Sequence, residues 1–127
     1  MQSMHMTERH VGSVTILDLT GTITIDADAS RLKDKINSLM LQQRTSVILN
    51  LADISYIDSG GLGQLAASYA ALANAGGGLK LLHVNKRNHD LLSITRLAII
   101  FQIFDAEDEA LRSFKTVAAI SPAALVE

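Results

Sequence analysis

The first third of the chain combines two β-like segments with one helical stripe. Residues 14–20 (VTILDLT) are apolar and β-branched, and residues 4–11 precede them across a Gly-Ser pair, which predicts an antiparallel hairpin. After Gly21 a polar loop leads to a helix that Asp28 or Ser30 could cap. The apolar positions of this helix recur at helical spacing and are Ala29, Leu32, Ile36, Leu39 and Met40.

The middle of the chain alternates buried strands with a second helix. Residues 46–51 (SVILNL) form a short, uninterrupted apolar run, which is typical of a parallel strand covered on both faces. Residues 58–61 (DSGG) then break the chain, and the glycines at 76–78 end the helix that follows. Residues 79–84 predict another buried strand. The inward face of the second helix is predicted to comprise Leu62, Leu65, Ala66, Tyr69, Leu72 and Ala73.

The last third repeats the alternation. Asn88 is expected to cap a short helix that reaches about Thr95, and residues 99–104 predict a last strand. Asp105 opens a final helix whose acidic first turn suits the helix dipole. The buried face of that helix is predicted to comprise Ala110, Leu111 and Phe114. The order of elements predicts an α/β domain with a mixed, mostly parallel sheet and covering helices.

Composition narrows the classes of function. The 127 residues suit one domain, and with 48% apolar residues and no cysteine that domain can bury a core without disulfides. Eleven Lys and Arg residues against 13 Asp and Glu residues give a net charge of −2, so we expect no nucleic-acid partner. The N-terminus lacks a secretory pattern, and the uncharged segment 59–79 is too polar for membrane insertion, so we expect a cytoplasmic protein.

Metal and nucleotide sites find little support. The histidines show no metal-ligand spacing at positions 5, 10, 83 and 89. Asp26 and Asp28 are better explained by capping of the following helix than by a cation. The glycines after Asp58 form a GGxG cluster without a Walker lysine, and we interpret them as residues that permit a tight turn. We therefore expect no metal and no cofactor.

Ser59 is the most informative polar residue. It follows a predicted central strand and precedes a helix, at the edge of the sheet where α/β domains bind ligands. As a helix N-cap, its hydroxyl would stabilise the fold by about 0.5–2 kcal/mol. As a phosphorylation site, it would gain about 1.5–2 negative charges, which the helix dipole tolerates and neighbouring Asp58 repels. Phosphorylation would therefore leave the fold intact and change the surface.

A hydrolase is a third interpretation of Ser59. A strand, a tight turn, a serine and a helix are the ingredients of a nucleophile elbow, but the motif requires glycine two residues earlier, where this chain has Ile57. His83 would have to act as the base, with Asp58 or Asp90 to orient it. A solvated histidine at the end of a strand is a far commoner arrangement.

The outward face of the second helix carries no charge. A small, neutral face beside a modifiable serine would let a partner approach closely, whereas an alanine-rich surface chosen for helix propensity would look the same. The sequence leaves both explanations open. The predicted outward residues are Gln64, Ala67, Ser68, Ala70, Ala71 and Asn74.

The run VILNLADISYIDSGGLGQL from Val47 resembles the signature of STAS domains, the family of bacterial anti-sigma factor antagonists. The likeness extends over nearly the whole chain and includes VTILDLTG, AGGGLKLLHV and the segments ITRL, FQIF and DEAL. Its D-S-x-G-L motif is specific when it follows an apolar strand. The resemblance implies one domain over residues 1–127, with a core at about 4–117 and a C-terminal tail at about 118–127.

The resemblance also implies a fold and a function. The fold would be a four- or five-stranded sheet with helices packed mainly on one side. The partner would be an anti-sigma factor with serine kinase activity, which contributes the ATP and phosphorylates Ser59, so the chain itself is expected not to be an enzyme. The implied partner-binding residues are Thr24, Asp26, Asp58, Ser59, Gly60, Gly61, Leu62, Gln64, Ala67 and Ser68.

The chain departs from the family pattern at three positions. Gly60 replaces the second serine of the motif. Thr24 stands where an acidic residue is common in the family, and Asp26 could take the place of that acidic residue. Arg96 stands where glycine is common. Arg96 would be strained if that position is left-handed. An alternative function is a structural subunit of a lipid-transport ATPase complex or a stress-sensing particle, and the apolar tail leaves a homodimer open.

Overall fold

The computed structural model describes residues 4–26 and 28–119 of the chain. These residues form a five-stranded sheet in the order β1-β2-β3-β4-β5, in which β1 is antiparallel to β2 and every other neighbouring pair is parallel. Residues 120–127 of the expected tail lie outside the described part. The elements are β1 (His5–Val11), β2 (Val14–Ile23), α1 (Asp28–Leu41), β3 (Ser46–Ile57), α2 (Ser59–Asn74), β4 (Gly78–Leu82), α3 (Lys86–Ile94), a 3₁₀ turn (Leu97–Ile99), β5 (Ile103–Phe104) and α4 (Glu107–Ala119).

Two apolar clusters lie on the two faces of the sheet. The larger one packs the sheet against α1, α2 and α3, and includes Leu32, Leu65 and Leu92 from these helices. The smaller one packs Ala110 and Phe114 of α4 on the other face. This arrangement confirms the predicted fold class, a mostly parallel sheet with helices mainly on one side.

The strand predicted at 46–51 continues to Ile57. Pairing between β3 and β4 ends at Asn50. Within the described part of the chain the second half of β3 therefore pairs with β2 alone, and Asp53 and Tyr56 are exposed. The polar residues in this half of β3 are therefore explained by the missing β4 neighbour, and they do not mark the end of the strand. This extension carries the chain directly to Asp58.

The strand predicted at 99–104 is reduced to Ile103 and Phe104. Ile99 instead ends a 3₁₀ turn and is 80% exposed. Arg96, which precedes that turn, has φ 65° and ψ 10°. The chain thus reverses in a left-handed conformation before it can pair with β4, and the apolar run at 99–104 is only partly a strand.

The predicted cap of α3 was wrong by three residues. Asn85 is the N-cap, and its side chain accepts the N–H of Asn88 at 2.8 Å. Asn88 is buried, and its side-chain amide donates to the carbonyl of Ile54 at 2.9 Å. Asn85 donates to the same carbonyl at 3.1 Å, so both side chains fasten α3 to the extended half of β3.

On the face of the sheet that α4 covers, Arg9 links the strands to that helix. Its guanidinium donates to Asp18 of β2 at 2.6 Å and to Glu107 of α4 at 2.8 Å, which raises the pKa of the arginine and lowers that of Asp18.

Within the described residues, no helix combines the length and the hydropathy that a transmembrane span requires.

We predict that Arg96→Gly stabilises the protein by about 0.5–1 kcal/mol, because glycine removes the strain of a left-handed residue and only part of this gain is lost to unfolded-chain entropy. Urea unfolding measures the change. The matched control is Ala70→Gly on the exposed face of α2, which should cost about 1 kcal/mol. Destabilisation by both substitutions would contradict the left-handed assignment.

Candidate functional site

Asp58 organises the carboxyl edge of the sheet. It is the N-cap of α2, and its Oδ1 accepts the N–H of Gly61 at 2.8 Å while Oδ2 accepts the N–H of Ile25 at 3.0 Å. Its own backbone N–H donates to the carbonyl of Ile23 at 3.2 Å. One residue therefore joins the end of β2, the β2–α1 loop and the first turn of α2.

Gly60 and Gly61 let the first turn of α2 lie close to the end of β2 and the loop after it, and they do not form a tight turn. Both lie inside α2, and neither has a positive φ. A Cβ on Gly61 would lie 2.2 Å from the carbonyl oxygen of Ile23, and one on Gly60 would lie 2.3 Å from the Cβ of Ile25. The interpretation of these two residues as turn glycines was wrong, because the helix start is packed directly against backbone.

Ser59 is the first residue of α2 and is exposed. The N-cap interpretation was wrong for this residue, since Asp58 fills that position. Within residues 4–26 and 28–119 the Ser59 hydroxyl makes no side-chain hydrogen bond. The fold therefore presents this hydroxyl to solvent at the positive end of a 16-residue helix.

A second carboxylate holds the loop beside Ser59. Asp28 is the first residue of α1 and is 3% exposed. Its Oδ2 accepts the hydroxyl of Thr24 at 3.0 Å, the backbone N–H of Thr24 at 3.3 Å and the hydroxyl of Thr22 at 3.3 Å, and its Oδ1 accepts the N–H of Met4 at 3.1 Å. Burial by itself raises the pKa of Asp28, but these hydrogen bonds outweigh it and the pKa is lowered.

The expected binding residues of the β2–α1 loop differ in exposure. Thr24 is half-buried and bound to Asp28, whereas Asp26 is exposed. Asp28 holds Thr24 and Asp58 holds Ile25, so the first two residues of the loop are bound to the starts of α1 and α2. Asp26 therefore follows directly on two residues that are bound to the neighbouring helices.

The outward face predicted for α2 is only partly outward. Ala67 and Ala70 are exposed and Gln64 is half-buried, but Ser68 is 1% exposed and its hydroxyl accepts the Gln64 side-chain amide at 3.0 Å. The placement of Ser68 on the surface was wrong, because α1 packs against this side of α2. Conversely, Ala73 was predicted to face inward and is exposed.

Exposed apolar side chains around Ser59 were missed in the sequence. Ile25 is 66% exposed, Tyr56 45% and Ile94 80%. A groove of about 470 Å³ lies between the start of α2 and α3, and Tyr56, Ser59, Arg87 and Ile94 line it. The exposure of Ile94 had one indication in the sequence, which is that this residue departs from the apolar stripe of a short helix.

The groove does not assemble a hydrolytic triad. His83 is exposed at the end of β4 and does not line the groove. Both carboxylate oxygens of Asp58 are bound to backbone N–H groups, and Asp90 pairs with Lys86 at 3.0 Å. Among the residues that the structure describes, no three His, Asp or Glu side chains are grouped to hold a metal ion.

Comparisons with known proteins agree with this architecture. The family model of the STAS domain matches residues 5–110. The anti-sigma F factor antagonist of Paenibacillus polymyxa is 28% identical over 110 residues, which cover 87% of this chain and 93% of that protein.

Two solved structures share the fold. Protein TM1081 of Thermotoga maritima has a TM-score of 0.78 at 24% identity, covering 87% of this chain and 94% of its own. The phosphorylated form of Bacillus SpoIIAA has a TM-score of 0.68 at 20% identity, covering 86% and 98%.

We predict that Gly61→Ala and Gly63→Ala have opposite effects. A Cβ on Gly61 collides with the carbonyl of Ile23 and should cost about 1–3 kcal/mol, whereas one on Gly63 meets nothing within 4 Å and should stabilise α2 by about 1 kcal/mol. Thermal and urea unfolding measure both. Equal effects would contradict the close approach of α2 to β2.

We also predict that Asp28→Asn destabilises the protein by about 1–3 kcal/mol at pH 7, because the charged form of Asp28 accepts four hydrogen bonds. The lowered pKa means that this stabilisation is present above pH about 4 and is lost as the pH falls through the folded-state pKa. The difference from the parent protein should shrink in acid. Asp34→Asn on the exposed face of α1 is the control, and a pH-independent difference would refute the assignment.

Proposed function

Because the chain belongs to the STAS domain family, we propose that it is an anti-sigma factor antagonist. In this function the unphosphorylated protein binds an anti-sigma factor with serine kinase activity and thereby frees a sigma factor for transcription. The kinase inactivates it by phosphorylating Ser59. The observation that carries the proposal is the exposed Ser59 hydroxyl on a helix start that Asp58, and not Ser59, caps.

The relatives support the proposal. The Paenibacillus polymyxa protein is named as an anti-sigma F factor antagonist, and SpoIIAA is known in a phosphorylated and an unphosphorylated form. Ser59 stands directly after the aspartate of the D-S-x-G-L motif. The chain covers nearly the full length of these relatives, so the comparison concerns whole proteins of similar size.

The chemistry would belong to the kinase. Ser59 Oγ attacks the γ-phosphorus of ATP, its O–H proton passes to a base on the kinase, and the bond from the γ-phosphorus to the β-γ bridging oxygen breaks to release ADP. The antagonist contributes an accessible nucleophile and binds no ATP of its own. It is a binding module in this scheme and not an enzyme.

Phosphorylation would leave the fold intact. The Ser59 hydroxyl makes no contact that the fold depends on, and the N-terminal dipole of α2 favours an added negative charge. The capping bonds of Asp58 run to Gly61 and Ile25 and would remain in place.

The same charge would oppose docking. Exposed Tyr56 and Ile94 line the groove together with Ser59, and exposed Ile25 lies against neighbouring Gly60. A partner that covers them must also desolvate whatever Ser59 carries. Asp58 and Asp90 line the groove as well and repel a phosphate. Among the described residues that line the groove, Arg87 is the cation, and its guanidinium lies 5.7 Å from the ring centroid of Tyr56.

We predict that Ser59→Ala binds the cognate anti-sigma kinase and accepts no phosphate at residue 59, while Ser59→Asp binds at least tenfold more weakly, or about 1.4 kcal/mol. Titration calorimetry with the purified kinase measures the affinities. Ser13→Asp is the matched control, because Ser13 is exposed in the β1–β2 turn at the opposite edge of the sheet and its variant should bind like the parent.

Equal affinities of the Ser59→Ala and Ser59→Asp variants would overturn the switch. Mass spectrometry of protein from its native cell tests the modification directly at residue 59. Co-purification of transporter subunits in place of a small ATP-binding kinase would instead identify a structural subunit of a larger assembly.

A further inference from the structure

Lys80 is a nearly buried cation far from the groove at Ser59. It points, like Leu82, to the face of the sheet that α4 covers, and it is 7% exposed. Its Nζ donates to the hydroxyl of Ser113 at 2.7 Å and lies 4.3 Å from the ring centroid of Phe114. Lys80 therefore keeps a charge in a largely apolar layer.

The charge of Lys80 has no counter-ion within the described part of the chain. The ion pairs there join other residues, and no carboxylate lies within pairing distance of Nζ. An ammonium has three N–H donors, of which Ser113 receives one. A buried charge is costly unless it is paired, and burial lowers the pKa of Lys80 accordingly.

A cavity of about 460 Å³ opens beside this lysine. Its volume is within the range of small-molecule sites, about 300–1,000 Å³. The apolar walls include Tyr69 of α2, Ile100 and Phe114, and the polar groups include Lys80 and Gln102. The site thus combines one cation with room for an apolar body.

The short strand β5 is the reason that this space is open. It pairs with Leu81 and Leu82, and among the described residues no strand covers the start of β4 on that side. The glycine turn at 76–78 passes beneath without side chains to fill the gap. The cavity therefore follows from the short pairing of β5 with β4.

We propose that this cavity binds a small amphiphilic carboxylate. The carboxylate accepts hydrogen bonds from Lys80 Nζ, and the apolar body packs against Tyr69, Ile100 and Phe114. A single cation matches a monoanion, whereas a phosphate dianion would need further donors of the kind that arginine forks supply. The proposal is independent of phosphorylation at Ser59.

The probe is sodium decanoate, titrated into the full chain and followed by the shifts of backbone amides in ¹H–¹⁵N spectra. We expect saturable binding, with the shifts concentrated at residues 76–80 and 100–102. Lys80→Met keeps an unbranched side chain that is one atom shorter and removes the charge, so it should bind decanoate at least tenfold more weakly. Decanol, which has the same tail without the charge, should also bind the parent at least tenfold more weakly.

Two further variants separate the site from general effects. Lys33→Met removes an exposed lysine of α1 and should leave decanoate binding unchanged. Ala73→Phe adds a ring to the cavity wall from the exposed side of α2 and should weaken binding at least tenfold while Lys80 stays in place. If the Lys80→Met variant does not fold, the affinity of Ala73→Phe for decanoate and the affinity of the parent for decanol test the proposal.

Four results would overturn the proposal. The first three are the absence of saturable decanoate binding to the parent, equal affinity of a folded Lys80→Met variant, and decanol binding as tight as decanoate binding. An unchanged affinity of Ala73→Phe would likewise place the ligand elsewhere.

Discussion

The site depends on the close approach of the first turn of α2 to the last residue of β2. The carbonyl of Ile23 accepts the N–H of Asp58, and Gly61 passes so near that a methyl group would collide with the same oxygen. The Asp58 carboxylate then closes the contact by binding Gly61 and Ile25. Three chain segments are fixed by one residue and two glycines, and the position of Ser59 follows from them.

Under the proposed function, this arrangement separates stability from signalling. Asp58 uses both carboxylate oxygens to hold backbone N–H groups, so the adjacent hydroxyl of Ser59 has no structural duty. A phosphate on Ser59 would meet a helix dipole that favours it and a surface of Ile25, Tyr56 and Ile94 whose burial by a partner it opposes. The modification would act on association while the core stays as it is.

The sequence predicted what periodicity and burial determine locally, and it failed where tertiary contacts decide. The fold class and the location of Ser59 at the start of a helix after a buried strand were correct, because buried strands and amphipathic helices leave regular apolar patterns. The choice between Asp58 and Ser59 as cap was not visible, since both residue types cap helices. The burial of Ser68 depends on where α1 crosses α2, and the exposure of Ile94 depends on the position of the short helix α3. Neither arrangement can be read from the spacing of residues along the chain.

The two ends of the sheet carry distinct surfaces that a rigid core keeps apart. Lys80 pairs in register with Ile48, nine residues before Ile57, which corresponds to roughly 30 Å at about 3.3 Å per residue. Electrostatic effects between exposed groups are screened beyond about 8–10 Å at physiological salt. A charge on Ser59 therefore cannot act on the cavity at Lys80 through space. Linkage between the two sites would require β3 and β4 to shift together, and the buried apolar residues on both faces of these strands oppose such a shift.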